Sequence, residues 1–409
     1  MDTELKAKIK KSVMDGINLS EEIRDEDISQ LIDSEINNST ALYIPLNEKI
    51  KIKNEIFNSI RKLDVLSDFL EDDEITEIMI NGPRAIFYEK AGRLHRSDAI
   101  FEDEERLMSV VQQIVGEANR MVNESVPIVD FILRGSRVNV VLKGVSVDGA
   151  AITIRKFPKE IMSMESLIGL GAINERAAQF LGLLVRAGYN IFISGGTGAG
   201  KTTFLNALSE YIPSDERVVT IEDSAELKIK SLPNLVRLEA RNANVEGKNQ
   251  ISIRDLIKCS LRMRPDRIIV GEVRDSSAVD MLQAMNTGHD GSLSTGHANS
   301  AHEMLMRLET MVLMGGVELP LKAIRQQIAS AIDVVVHLGR LRDKSRKVLE
   351  IREVLGVENE EIVTRELYKF KEDGNEKVVR GELLKINDLI NVSKLESAGL
   401  IGIYREGKY

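Results

Sequence analysis

The sequence predicts an α/β protein: a mostly parallel sheet covered by helices on both faces, preceded by a smaller α+β domain. Three observations carry this. Residues 190–205 (NIFISGGTGAGKTTFL) pass from a β-rich apolar run through a glycine-rich turn into a helical pattern. From there to about residue 338, apolar β-rich runs alternate with apolar residues at helical spacing, the signature of βα units. Before it, residues 75–157 hold strand–turn–strand runs and one amphipathic helical stretch, which reads as α+β.

Length and composition set the frame. At about 150 residues per domain, 409 residues imply two or three domains with sizeable cores. The net charge of −9 and pI of about 5.4 have the wrong sign for a nucleic-acid binder, and 4% aromatics without tryptophan supply a base-stacking platform poorly. One cysteine, Cys259, rules out an intrachain disulfide; in its helical pattern it is packing filler rather than a nucleophile. No apolar run approaches 18 residues, and the N-terminus (MDTELKAKIKKS) lacks a signal core, so a cytoplasmic protein is expected, with membrane contact only through partners.

In chain order, residues 1–47 are polar, with an acidic cluster at 21–27 and isoleucines at helical spacing; they form either a small helical appendage or a partly disordered tail. The α+β domain is placed at 48–157: a helical stretch to about 70, strands at 75–80 and 85–88 around the Asn81-Gly82-Pro83 turn, a helix at 101–121, and strands at 126–133, 137–142 and 150–157. An interdomain linker at 158–165 leads to the main domain, 166–365. Helices at 160–188 precede the glycine turn. After it come strands at 217–221, 234–238, 266–270, 291–295 and 333–338. Helices fall at 276–287, 301–313 and 320–331, and Ser252 with Asp255 resembles a capping box. Residues 242–250 read as an Asn- and Gly-rich loop. Residues 366–409 are taken as a C-terminal extension, with no chemistry visible in it.

Gly195, Gly196, Thr197, Gly198, Ala199, Gly200, Lys201, Thr202 and Thr203 contain G-x-x-x-x-G-K-[ST], the phosphate-binding loop. Glycines let backbone N–H groups approach phosphate oxygens, and the helix N-terminus adds partial positive charge. Lys201 should reach the β- and γ-phosphates and Thr202 should hold Mg²⁺, with Glu272 near the ion. Glu272 ends the β-rich run of RPDRIIVGEVRD, where ligands of parallel sheets bind, and can orient or deprotonate a water for attack on the γ-phosphate; otherwise it is a solvated strand-end acid. The metal-holding aspartate usual on such a strand would stand at Gly271. Glu222 and Glu226, in TIEDSAE, lie at another strand end, as ligand-directed acids or as caps of a surface turn. His289, His297 and His302 match no metal-ligand spacing; a histidine of this stretch sensing the γ-phosphate fits better, because the stretch follows the Glu272 strand and helix.

Together these segments resemble the ATPase superfamily of type II and type IV secretion and type IV pili, most nearly its Tad/Flp pilus assembly (CpaF-like) branch. The carrying segments are GGTGAGKTT (195–203), TIEDSAEL (220–227), RMRPDRIIVGEVRD (262–275) and NTGHDGSLSTGHANS (286–300), and the resemblance runs from about 48 to 365. It implies a RecA-like P-loop NTPase domain behind an N-terminal α+β domain, six subunits to a ring, ATP and Mg²⁺ as cofactors, and nucleotide between the domains. It places Glu222 and Glu226 in the Asp box, Glu272 at the Walker B position and His297 in the His box. It also makes Arg137 and Arg155 phosphate-reaching arginines of the N-terminal domain. Gly296 departs from the bulky apolar residue frequent before the histidine and is expected to loosen that strand. Arg262, Arg264, Arg267 and Arg274 either face a neighbouring subunit's nucleotide or make a salt-bridged interface.

The implied function is an ATP-driven motor, a homo-hexamer peripheral to the inner face of the cell membrane, acting through an integral-membrane platform protein on pilins or secreted substrate. A RecA-type nucleic-acid translocase shares the core fold and is the alternative; the acidic charge counts against it. A non-hydrolysing nucleotide-binding scaffold is opposed by the full set of acids, and a GTPase by the lack of N-K-x-D.

Overall fold

Isoleucines four residues apart make one apolar stripe on a helix, and three such stripes build the start of the chain. In the computed structural model, α1 (Thr3–Gly16), α2 (Asp25–Asn38) and α3 (Leu46–Arg61) pack around Ile9, Val13, Ile28, Ile32, Ile36, Ile52 and Ile56. The structure describes residues 3–16, 24–38, 45–157, 162–241, 243, 248–316, 319–374 and 376–407. The boundary expected after residue 47 therefore falls inside α3, whose apolar face belongs to the helical bundle. Part of the acidic cluster at 21–27, half of the linker at 158–165 and much of the loop at 242–250 lie outside the described residues.

The chain divides into two compact units, Met1–Pro158 and Lys159–Tyr409. In the first, α4 (Leu66–Glu71) leads to β1 (Ile75–Asn81), β2 (Ile86–Lys90) and β3 (Arg93–Arg96). Then follow α5 (Glu104–Glu117), β4 (Ile128–Leu133), β5 (Ser136–Val141) and β6 (Ala151–Lys156). The sheet order is β3-β2-β1-β6-β5-β4, antiparallel throughout. The apolar face of α5 (Leu107, Val110, Val111, Ile114) covers Ile78, Ile80, Val138, Val140 and Ile152. This helix is shorter than the predicted 101–121. The Asp103 side chain accepts the Arg106 N–H and fixes its start, and Asn119, at φ 52°, turns the chain away after it.

The second unit opens with α6 (Met164–Gly169) and α7 (Glu175–Arg186). Next come β7 (Ile191–Gly195), α8 (Lys201–Ser209), β8 (Val218–Glu222), β9 (Leu235–Glu239), α9 (Ile253–Ser260) and β10 (Arg267–Val270). They are followed by α10 (Ser277–Asn286), β11 (Leu293–Gly296), α11 (Ala301–Met314), α12 (Leu321–Ala331) and β12 (Val334–Arg340). The chain closes with β13 (Arg346–Glu358), β14 (Glu361–Glu372), β15 (Gly381–Lys385), α13 (Ser393–Ser397) and α14 (Ile401–Arg405). The nine strands lie in the order β15-β14-β13-β12-β7-β11-β10-β8-β9. The six from β12 to β9 are parallel and the three at the other edge antiparallel. Period-2 alternation puts Ile191 and Ile193 of β7 in one core, with α7 and α8, and Phe192 in the other, with α10 and α11. Helices thus cover both faces, as the apolar runs predict. The expected boundary at 365 falls inside β14, so the segment taken as an extension continues the sheet.

Candidate active site

The glycine turn is held from below. Leu338 of β12 lies beside Gly195, and a Cβ there would stand 2.6 Å from the Leu338 carbonyl. Gly198 and Gly200 sit at φ +71° and +93°, left-handed conformations that favour glycine. They swing the backbone over the N-terminus of α8, where Gly200 is the N-cap. A Cβ on Gly196 would meet nothing within 4 Å, so this part of the loop faces open space.

Lys201, only 7% exposed, donates to the carbonyls of Gly195 (3.1 Å) and Gly196 (3.2 Å), and its Nζ lies 3.1 Å from His297 Nδ1. Across the ring, His297 Nε2 is 2.9 Å from Glu272 Oε1. Glu272 Oε2 in turn accepts from Arg274 Nη2 at 2.8 Å. Four side chains from three segments thus form one line: Lys201, His297, Glu272, Arg274. Burial holds the imidazole below its ordinary pKa, helped by the charges of Lys201, Arg274 and Arg307, so it is neutral and its Nδ1 can accept from the ammonium. Burial opposes ionisation of Glu272, but the Arg274 hydrogen bond and the charges of Arg274, His297 and Lys201 outweigh it and keep the pKa low. Oε1 of this carboxylate is buried and meets no donor in hydrogen-bonding geometry among the described residues. A buried hard oxygen not aligned with a donor suits a hydrated divalent cation or a water.

The backbone explains why these groups meet. Beyond the end of β10, Gly271 N–H bonds the Ile221 carbonyl and Val273 N–H the Thr295 carbonyl, so residues 271–273 remain clamped between β8 and β11. Thr295 Oγ1 donates to the Gly271 carbonyl at 2.7 Å. Gly296 is the last residue of β11, in register with Ser194. It does not loosen the strand: a Cβ there would come within 2.9 Å of Met304 and 3.0 Å of Phe192, side chains that already fill the space.

Glu222 stands at the end of β8, buried. Its Oε1 accepts from the N–H groups of Glu226 (3.0 Å) and Leu227 (2.8 Å). Its Cγ lies 2.9 Å from where a Cβ on Gly271 would be, so Glu222 fills the volume an aspartate at 271 would need. Burial pushes its pKa up to about 7, against the pull of the two N–H groups and of Arg237. Folding therefore takes up a proton between the ordinary carboxylate range and pH 7, and stability falls as pH rises through that window. Glu222→Gln is expected to gain on the wild type between pH 5 and pH 8, by at most about 3 kcal/mol, in urea titrations; an equal difference at both pH values would refute the burial argument.

Other residues fall elsewhere. Arg137 and Arg155 lie in the first unit, directly opposite each other on β5 and β6, with Arg137 bonded twice to Asp130 (2.8 and 3.1 Å). Glu226 contributes its N–H to Glu222 and negative charge near Arg274. Arg267 is not aimed at a neighbour: it is 2% exposed and ties Glu216 to the carbonyls of Val185 and Gly291. Arg274 is engaged with Glu272 of its own chain, while Arg262 and Arg264 are exposed. Among the described residues no group of three or more His, Cys, Asp or Glu could hold a metal, so the three histidines do not converge. Sequence reading passed over Arg346, whose Nε donates to the Gly198 carbonyl at 2.8 Å, and His337 beneath the loop. The basic run RLRDKSRK (340–347), next to a predicted strand end, was the available signal for the first.

Known proteins similar to this chain share its family and fold. Residues 61–389 match the family described as type II/IV secretion system protein, so the match extends past residue 365, into the segment first set outside the resemblance. A Mycobacterium tuberculosis protein named for conjugal transfer is 37% identical over 294 residues, covering 70% of this chain and 83% of that one. The type IV secretion system protein VirB11 of Bartonella quintana is 31% identical over 344 residues, covering 74% and 94%. The X-ray structure of the Yersinia pseudotuberculosis ATPase DotB shares the fold, with a TM-score of 0.52 at 18% identity, over 71% of this chain and 78% of that one. Among the described residues, no helix is long and apolar enough to cross a membrane. With its N-terminal α+β unit, its RecA-like sheet and its phosphate loop beside a strand-end glutamate, the chain belongs to the type II/IV secretion system protein family and is an ATP hydrolase of that family.

Proposed function

We propose that this ATPase is the cytoplasmic motor of a pilus-assembly or secretion machine of the Tad/Flp kind, working as a homo-hexamer on an integral-membrane platform protein. The line from Lys201 through His297 to Glu272 carries this reading, because it joins a phosphate-binding cation to a strand-end base through one histidine. Backbone N–H groups of residues 196–203 cradle the polyphosphate, and Lys201 meets its β- and γ-oxygens. Glu272, held ionised by Arg274, orients and deprotonates the attacking water. Mg²⁺, when bound, would be held by the Thr202 hydroxyl and by Glu272, and would neutralise phosphate charge. A γ-phosphate that draws Lys201 away from His297 Nδ1 changes what the histidine touches, so His297 reports the state of the nucleotide to β11 and α11. Glu222 and Glu226 back the carboxylate end of this line. Arg137, already bonded to Asp130, and Arg155 directly opposite it are the arginines of the first unit that this reading assigns to the phosphates.

The test is made in the cell. With the chromosomal copy carrying Glu272→Gln, surface filaments or the secreted protein are expected to vanish while the amount of ATPase stays normal. A polytopic membrane protein should co-purify with both forms. Unchanged filaments and secretion, or ATP turnover stimulated by single-stranded DNA with no membrane partner, would overturn the motor reading.

A further inference from the structure

Beneath the line of site residues lies a buried histidine that the hydrolysis reaction does not use. His337 of β12 is 5% exposed and stands in register with Ser194, the residue before the glycine turn. Its Nδ1 is 2.7 Å from Ser194 Oγ, and Ser194 Oγ lies 3.3 Å from the Ser300 carbonyl. The Asn299 backbone also lies against the ring, where it favours the protonated form. On the other side, β13 puts Glu350 in register with His337, and Glu350 Oε1 accepts the Ala301 N–H at 2.8 Å. Residues 299–301, which directly follow the site histidine and open α11, are thus gripped by two residues of the β12–β13 pair.

We propose that His337, with its cross-strand neighbour Glu350, is a positioning pair for His297: it pins residues 299–301 to the end of β7, so that His297 stays between Lys201 and Glu272. Burial keeps the imidazole neutral, against the pull of Glu350, Glu303 and the Asn299 backbone, and Lys201 acts in the same sense as burial. A neutral ring has one N–H. In one tautomer it donates to Ser194, whose hydroxyl in turn donates to the Ser300 carbonyl. In the other it donates to the Asn299 carbonyl while Ser194 donates to it. Both tautomers tie the strand below the phosphate loop to the segment after His297. Neither His337 nor Glu350 touches the phosphate loop itself, so their loss affects the placement of His297 rather than the grip on nucleotide.

The inference rests on the role given to His297, and His297→Ala is the control: if that variant keeps the wild-type rate, the site reading fails and not the positioning step. With the full-length protein and ATP, His337→Phe is expected to lower kcat about tenfold, the order carried by one positioned hydrogen bond, with KM within about twofold. His337→Asn, which returns polar atoms near the Nδ1 position, should recover most of the loss. Hydrogen exchange should quicken in residues 297–303 and stay unchanged in β7 and β10. If His337→Phe does not fold, Ser194→Ala reads the same link and should give the same split. An unchanged kcat, a rise in KM alone, or equal losses in the Phe and Asn variants that follow a fall in melting temperature would overturn the proposal.

Discussion

Replacing Lys201 by alanine is expected to cut ATP turnover by about 10³-fold, the order seen when a preorganised charge at a reacting centre is removed. The structure gives the reason. The ammonium is buried, with its Nζ within hydrogen-bonding reach of two loop carbonyls and one imidazole nitrogen, and it alone among these four groups carries positive charge into the loop. Alanine there leaves the Gly195 and Gly196 carbonyls without their donor and removes the counter-charge for the phosphates, so nucleotide affinity should fall with the rate. Phosphate release measured against ATP concentration checks both quantities. A variant with wild-type turnover would mean that the Gly195–Thr202 turn is not where the nucleotide reacts.

Glu272→Gln should separate binding from chemistry. The amide keeps the size of the side chain and can still accept from Arg274, but it cannot take a proton, and a positioned general base is worth about 10²–10⁴-fold in rate. ATP should therefore bind within a few-fold of the wild-type affinity, while single-turnover hydrolysis nearly stops. Binding by fluorescent-nucleotide titration and hydrolysis by quenched flow give the two numbers. Hydrolysis at the normal rate would move the base elsewhere, with Glu222 the nearest carboxyl held by the same backbone clamp. Equal loss of binding and rate would make Glu272 part of the nucleotide grip instead.

Much of this site is legible in the sequence because its parts are local. The phosphate loop is a continuous strand–turn–helix, and its positive-φ glycines carry their conformational requirement in their own identity. The Glu272 strand shows itself by a short apolar run ending in one carboxylate, whereas the strand before His297, 291–295, is weak by propensity. What misleads is whatever depends on the partner. Arg267 and Arg274 look alike in sequence, as two arginines flanking one strand. Yet the first is a buried tie to Glu216 and two carbonyls, and the second bonds the strand-end Glu272. Gly296 reads as a weakness in its strand until Met304 and Phe192 are seen to occupy the space beside it.

The sequence by itself determined the fold class, most of the strands and helices between residues 75 and 338, and the lysine, strand-end glutamate and late histidine as candidate site residues. These follow from apolar periodicity and from motifs shorter than one supersecondary unit. Only the tertiary structure decided which strands are neighbours, that the end of β14 and β15 continue the central sheet, and that His337 and Glu350 lie under the site. The physical reason is that pairing between β7, β11 and β12 joins residues more than a hundred positions apart. Hydrogen bonds and packing that close such loops leave no periodic trace in the sequence of either partner.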